Sequence, residues 1–199
     1  MAVDAKTVKQ LRDKTGAPMM DCKKALAACD CDMDKAIAFL REKGIASAEK
    51  KSGRATKDGK IVSYIHPGDK LGVLVEINCE TDFVAKGEGF SAFAKDVAMH
   101  IAAANPLYLD KTAVPEDVIA RERQIYETQA KNDNKPEKVI AKIAEGRIAK
   151  FYSEVCLLEQ NFVKDDKVKI KDFVKSAIAQ FGENINIARF VRFNLGETE

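Results

Sequence analysis

An abrupt change of hydrophobic period at Thr81 constrains the fold of this chain more than any other feature of its sequence. Before it, Val73, Val75 and Ile77 alternate with other residues, which is the period-2 pattern of a strand. After it, apolar residues recur at steps of three and four, which is the pattern of a helix that buries one stripe. The stripe comprises Phe90, Phe93, Ala94, Val97, Ala98 and Ile101. The sequence therefore predicts a strand followed directly by a helix that packs on it.

Four residues lie at this junction, and we call them the joint segment: Thr81, Asp82, Phe83 and Val84. Thr81 and Asp82 are favourable helix N-cap residues, so Phe83 is expected at the mouth of a helical turn. Spacing alone does not decide the direction of the ring. Phe83 is either a core residue at a strand-to-helix turn or a wedge that points outward.

The first 44 residues predict three short helices. Thr15 and Gly16 end the first helix, Pro18 opens the second, and Gly44 ends the third. The apolar stripes are Val8 and Leu11; Met19, Cys22, Leu26 and Cys29; and Met33, Ala36, Ile37 and Leu40. A bundle of this size buries little area, so we expect it to present a surface on a larger body. The loop before the second helix is the expected surface, with Met20 facing away from the bundle core.

Residues 45–60 have no apolar period and predict a linker, followed by a second domain over residues 61–199. Two alternating runs around a turn at 66–69 predict a β-hairpin. Charged helical patterns at about 115–153 predict an αα-hairpin, and short apolar runs predict strands near 155–158 and 185–195. The predicted fold class is α+β: a three-helix module, then an antiparallel sheet packed with helices and a protruding αα-hairpin.

Composition excludes several classes of protein. Hydrophobic residues make up 46% of the 199 residues and charged residues 32%, with no long uncharged apolar run, so a membrane-spanning helix is not expected. The first ten residues lack the apolar core of a secretion signal. We therefore expect a cytoplasmic protein without a membrane partner.

The residues that carry common catalytic chemistry are sparse. The five cysteines are odd in number and do not predict a disulfide framework, and the two histidines, His66 and His100, lie far from Cys22, Cys29 and Cys31. We expect a surface position for His66 and a hydrogen-bonded, semi-buried one for His100. The sequence around Gly87 and Gly89 lacks the remaining residues of a nucleotide-binding loop. The sequence thus predicts no metal site and no cofactor, and it favours protein binding over catalysis.

The net charge of +2 is unevenly distributed, because residues 1–60 carry 14 Lys and Arg against 9 Asp and Glu. This surplus is too sparse, and too poor in aromatic residues, for a nucleic-acid interface. Two alternatives remain open: a small RNA-binding or ribosome-associated protein that uses the basic linker, and a cysteine-dependent redox enzyme.

Three separated motifs resemble the translation elongation factor Ts family. They are Leu11–Leu26 (LRDKTGAPMMDCKKAL), Asn78–Lys86 (NCETDFVAK), and Gly182–Ile187 (GENINI) with Arg192 and Phe193. The resemblance implies a ubiquitin-associated-like module at residues 1–44, an α+β core and no enzymatic activity. It implies a nucleotide exchange factor that binds elongation factor Tu in its GDP form and promotes GDP release, so that GTP can load.

The resemblance also implies site residues. The joint segment would intrude beside the magnesium site of elongation factor Tu, while Arg12, Met19 and Met20 would contact its nucleotide-binding domain. Only one core unit is visible here, as in the short form of the family. We therefore expect a homodimer formed through the core sheet and the αα-hairpin, and no direct contact with nucleic acid.

Overall fold

A computed structural model describes residues 3–197, apart from the side chain of Ile45. Residues 1, 2, 198 and 199, at the outer ends of the two predicted domains, lie outside the described residues. The described chain forms two compact units, each assembled from separate stretches of sequence. Unit 1 contains the described residues through Val62, together with Glu76–Ala94 and Asp172–Ala188. Unit 2 contains Ser63–Val75, Lys95–Lys171 and the described residues from Arg189 onward.

The three amino-terminal helices belong to unit 1. They are α1 (Ala5–Thr15), α2 (Met19–Ala28) and α3 (Met33–Lys51). Gly16 ends α1 in the left-handed conformation, with φ of 67°, and the Asp32 carboxylate caps α3 by accepting the Lys35 N–H at 3.0 Å. Their common core comprises Val8, Leu11, Cys22, Ala25, Leu26 and Ala36. The predicted three-helix arrangement is therefore present.

The predicted end of the third helix at Gly44 is wrong, because α3 continues to Lys51. Residues 45–51 of the predicted linker are thus helical. Ala48 is buried, and a Cβ placed on Gly44 would lie 3.0 Å from the Cβ of Ala179 in a later helix of the same unit. Packing of this half of α3 therefore overrides the helix-ending preference of a lone glycine. Whether residues 1–44 act as a module of their own stays a prediction.

A three-stranded antiparallel sheet contains β1 (Asp58–Ile65), β2 (Leu71–Cys79) and a carboxy-terminal strand, β5 (Ile185–Asn194). The strand order is β1-β2-β5. This confirms both the predicted hairpin and the pairing of the last strand with it. Alternate residues of β2 are buried: Val73, Val75, Ile77 and Cys79.

Two helices follow β2: the short α4 (Asp82–Lys86) and the longer α5 (Glu88–Ala104). Every member of the predicted apolar stripe of α5 is buried. Within unit 1, the rings of Phe90 and Phe93 pack against Phe181 and Phe173, with ring centroids 6.1 and 5.0 Å apart. The predicted change from strand to helix at Thr81 is therefore confirmed.

Unit 2 contains the predicted αα-hairpin, formed by α6 (Glu116–Asn132) and α7 (Glu137–Val155). The strand predicted at 155–158 is wrong, because α7 extends to Val155 and a 3₁₀ turn follows at Leu157–Glu159. The N–H of the buried Leu157 donates to the Tyr108 carbonyl at 2.9 Å. The backbone of this short apolar run is thus hydrogen-bonded although the run is not part of the sheet. A small hairpin of β3 (Asn161–Phe162) and β4 (Asp165–Lys169) leads into α8 (Ile170–Phe181).

No helix among residues 3–197 is long and apolar enough to cross a membrane. Within the same described range, no group of three or more His, Cys, Asp or Glu side chains is arranged to hold a metal ion.

His100 is fully buried in unit 2 rather than semi-buried. The Val163 N–H donates to its Nδ1 at 3.3 Å, so its Nε2 carries the proton and donates to Gln160 Oε1 at 3.0 Å. Burial lowers the pKa of His100. Both ring nitrogens are thus bonded in the neutral form, as expected of a structural histidine.

We expect acid to destabilise the protein through His100. Because its pKa is lowered in the folded state, the unfolded chain binds the proton more readily, and stability present above the ordinary histidine pKa of about 6.5 is lost as the pH falls below it. Urea unfolding at pH 7.5 and at pH 5 measures this loss. In His100→Gln the loss should shrink, whereas the exposed His66→Gln should retain the parent's dependence. If the loss of stability between pH 7.5 and pH 5 were unchanged in His100→Gln, the inference that His100 causes it would be contradicted.

Candidate functional site

The joint segment begins where β2 ends, and its first residue caps α4. The Thr81 hydroxyl oxygen accepts the Val84 N–H at 3.5 Å, and the Thr81 carbonyl accepts the Ala85 N–H at 3.2 Å. Ala85 is buried and attaches this single helical turn to unit 1. Gly87 ends the turn, with its N–H donating to the Val84 carbonyl at 3.0 Å. The predicted capping role of Thr81 is confirmed.

Phe83 points outward. Its side chain is 85% exposed, the largest value for a bulky apolar residue in the described chain. Burying such a ring contributes about 1.5–3 kcal/mol, so its exposure costs free energy that another surface could recover. The structure therefore selects the outward direction that sequence spacing left open.

Asp82 is also exposed and pairs with Lys86 one helical turn later, with 2.7 Å between Oδ2 and Nζ. The hydrogen bond and the positive charge of Lys86 lower the pKa of Asp82, and the same pair raises the pKa of Lys86. Both groups are open to solvent, so the pair contributes little to stability. Its effect is to hold the Asp82 carboxylate close to Lys86, on the same helical turn that carries Phe83.

A carboxylate from a distant part of the sequence holds the start of the joint segment. Glu183 Oε2 accepts the N–H groups of Glu80 and Thr81 at 3.1 and 3.0 Å, and Oε1 accepts the Thr81 hydroxyl at 2.6 Å. Sequence reasoning assigned no role to Glu183, although it lies in one of the family-like motifs. The contact joins residues about a hundred positions apart in the sequence. Hydrophobic periodicity describes local structure and therefore does not predict such a contact.

Asn184 extends this network to the end of α3. Its backbone N–H donates to Glu80 Oε1 at 2.6 Å, and its buried side-chain Nδ2 donates to the carbonyls of Ser52 and Arg54 at 3.2 and 2.7 Å. The Arg54 guanidinium also lies 3.5 Å from the Glu80 carboxylate. The network thus ties together β2, the residues after α3 and the loop before β5.

The other predicted site residues lie on the first two helices. Arg12 is exposed on α1, and Met19 and Met20 begin α2 with exposures of 42% and 61%. The spacing placed Met19 on the buried stripe, and that interpretation is wrong, because Met19 is exposed at the start of α2, whereas Cys22, Ala25 and Leu26 are the buried residues of this helix. Both methionines are therefore available to a partner.

The end of α8 and the loop after it contact the elements that carry both candidate surfaces. A Cβ placed on Gly16, between α1 and α2, would lie 3.0 Å from Gln180 Nε2. The Gly182 carbonyl accepts Lys51 Nζ at 2.8 Å, and the next residue, Glu183, holds Thr81. Within unit 1, residues 180–184 therefore connect the helical bundle and the joint segment.

Two of the five cysteines, Cys79 and Cys156, are unsuited to redox chemistry. Burial raises the pKa of Cys79, whose thiol donates to the Thr81 carbonyl at 3.2 Å. Burial also raises the pKa of Cys156 to about 11. A raised pKa keeps the sulfur as a thiol, whereas nucleophilic cysteines need the thiolate.

Asn184 should contribute measurably to stability. Asn184→Ala removes two hydrogen bonds that a buried side chain donates to backbone carbonyls, so we expect the free energy of unfolding to fall by about 1–3 kcal/mol in urea denaturation. Asn186→Ala is the matched control, because the Asn186 side chain is exposed and accepts the Thr56 hydroxyl at 2.8 Å. That variant should lose no more than about 0.5 kcal/mol. Equal losses in the two variants would contradict a special role for Asn184.

Comparison with known proteins gives a consistent result over nearly the whole chain. The model of a family described as "Elongation factor TS" matches residues 5–197. The chain is 57% identical to Elongation factor Ts of Solidesulfovibrio magneticus over 196 residues, which cover 98% of each protein. It is 54% identical to Elongation factor Ts of Thermodesulfovibrio yellowstonii, covering 100% of this chain and 99% of that protein. The chain therefore belongs to the translation elongation factor Ts family.

Proposed function

We propose that this chain is a guanine nucleotide exchange factor for elongation factor Tu. It binds the GDP form of that GTPase and promotes GDP release during polypeptide elongation, without catalysing a chemical step of its own. The observation that carries this proposal is the 85% exposure of Phe83 on a helical turn whose backbone is fixed. A bulky ring held in water at a fixed position is suited to docking in a partner's pocket.

Exchange follows from negative coupling between two ligands of one GTPase. A protein that binds better to the nucleotide-free conformation lowers the affinity of the GTPase for GDP. By linkage, GDP lowers the affinity of the GTPase for that protein by the same factor. Burial of one phenyl ring supplies about 1.5–3 kcal/mol, or one to two decades of affinity. Phe83 alone therefore accounts for part of the effect.

Displacement of magnesium supplies much of the remainder. A bound Mg²⁺ bridges phosphate oxygens and neutralises their charge, so its loss weakens the hold on GDP. In this proposal the joint segment intrudes beside that ion in elongation factor Tu, with Phe83 as the wedge and Asp82 next to it. Thr81 and Val84 fix the turn that carries both side chains.

Arg12, Met19 and Met20 form the second contact, with the nucleotide-binding domain of elongation factor Tu. Exposed methionines suit this role, because their flexible, polarisable side chains adapt to an apolar surface. Residues 180–184 hold both contact regions within unit 1, so the two can act on one partner together.

No structural observation favours the alternative of an RNA-binding or ribosome-associated protein. The basic linker on which it rested is partly helical. Two of its cations are used inside unit 1, with Lys51 on the Gly182 carbonyl and Arg54 beside Glu80. We therefore propose no direct nucleic-acid partner.

Labelled GDP should leave elongation factor Tu faster when this protein is added. When this protein is limiting, Phe83→Ala should lower the stimulated rate constant of GDP release by about tenfold, because the burial of one ring accounts for about that factor. Stopped-flow fluorescence of a labelled GDP measures the rate.

Val163→Ala is the matched control, since Val163 is an exposed apolar residue of unit 2 outside both contact regions. It should stimulate release as well as the parent does. If Phe83→Ala did so too, the wedge assignment would be wrong.

We also propose a homodimer that uses the sheet and the αα-hairpin. In unit 2, each strand of the sheet presents large exposed apolar side chains: Ile65 on β1, Leu74 on β2, and Val191 and Phe193 on β5. Ile65 Cδ1 would lie 3.0 Å from a Cβ on Gly72, so this side chain reaches across the neighbouring strand. An exposed apolar sheet surface of this kind is typical of an interface.

Sedimentation equilibrium at micromolar concentration should give twice the 22.0 kDa mass of one chain. Phe193→Asp should shift the mass toward that of one chain, because it places a charge in the apolar contact. The charge-matched control is Val163→Asp, which should remain dimeric. A mass of one chain for the parent would overturn the homodimer.

A further inference from the structure

The joint segment has little packing of its own that could set the direction of Phe83, because three of its four residues are exposed and Val84 is half-buried. α4 has five residues, and only Ala85 among them is buried. One helical turn is unstable by itself in water. Beside the anchor that the buried Ala85 supplies, the position of Phe83 therefore depends on the contacts that fix the backbone before it.

Glu183 provides those contacts from one carboxylate. After Cys79 the backbone leaves β2, and the next two N–H groups, of Glu80 and Thr81, both donate to Glu183 Oε2. Hydrogen bonds to a charged acceptor are stronger than those between neutral groups. They fix the two residues immediately before α4.

The third bond sets the helix cap. The Thr81 hydroxyl gives its proton to Glu183 Oε1 at 2.6 Å, which leaves a lone pair of the same oxygen for the Val84 N–H at 3.5 Å. The cap of α4 thus has the correct orientation because Glu183 determines where the hydroxyl proton points.

Glu183 is itself held on both sides. Gly182 has φ of 79°, its N–H donates to the Ile178 carbonyl at 3.0 Å and its carbonyl accepts Lys51 Nζ. On the other side, the Asn184 N–H donates to the Glu80 carboxylate at 2.6 Å. Each of these two stretches of chain therefore carries a carboxylate that accepts backbone N–H groups of the other stretch, which fixes their register.

We propose that Glu183 is the positioning residue of the exchange site: it acts through the backbone and hydroxyl of the joint segment and sets where Phe83 meets the GTPase. This inference rests on the proposed exchange function. It assigns Glu183 no contact with the partner.

Amide hydrogen exchange of the free protein tests the structural half of the proposal. In Glu183→Ala the amides of Glu80 and Thr81 lose their acceptor, so they should exchange about tenfold faster or more. In Glu183→Gln one oxygen remains to accept both, so their protection should largely return. Glu42→Ala, which removes an exposed carboxylate of α3, is the matched control and should not change these amides. Unchanged protection in Glu183→Ala would overturn the proposal.

A double-mutant cycle in the GDP-release assay tests the functional half. Glu183→Ala should lower the stimulated rate about tenfold in the parent, but less than twofold in the Phe83→Ala background, because Glu183 acts through Phe83. Glu183→Gln should retain the rate within about threefold. Equal losses in both backgrounds would indicate a merely structural role and overturn the proposal.

Two further measurements distinguish failure of the Glu183 proposal from failure of the proposed exchange function. Thr81→Val removes one of the three bonds to Glu183, together with the α4 cap that this bond orients, and leaves Glu183 in place, so it serves the same cycle if Glu183→Ala does not fold. If the parent chain does not accelerate GDP release, the proposed function is wrong. The amide data then still decide whether Glu183 fixes the joint segment.

Discussion

The hydrogen bonding of the Glu183 carboxylate to two consecutive backbone N–H groups and one hydroxyl is the interaction on which the candidate site depends. The backbone groups of a strand form hydrogen bonds with neighbouring strands, whereas the first N–H groups of a helix have no acceptor within the helix. A strand that leads directly into a helix therefore needs hydrogen-bond acceptors from elsewhere in the chain. Glu183 meets that need from a loop about a hundred residues away. The ring of Phe83 can then be exposed without loosening the chain beneath it.

The sequence allowed much of this fold to be predicted, because hydrophobic period reports burial directly. The β1-β2 hairpin, the stripe of α5, the αα-hairpin and the capping by Thr81 all follow from local spacing and residue type. The exposure of Phe83 did not follow, since a period locates a ring on a helix but does not say what lies opposite it.

The remaining features depend on tertiary contacts that no local pattern encodes. Gly44 reads as a helix end, yet α3 passes through it because α8 packs against that half of the helix. Leu157 reads as a strand residue, yet its backbone bonds to Tyr108 outside the sheet. Glu183 and Asn184 resemble ordinary polar loop residues until the distant chain that they contact is known.

The fixed backbone beneath an exposed ring also bears on the kinetics of encounter. Because Phe83 already points into solvent in the free chain, the proposed docking of this ring would need no slow rearrangement of the chain beforehand and would cost little chain entropy. In the free chain the Phe83 ring is hydrated, which is unfavourable for an apolar group. In the proposed complex, release of that water would favour association from the first contact of the ring with its pocket.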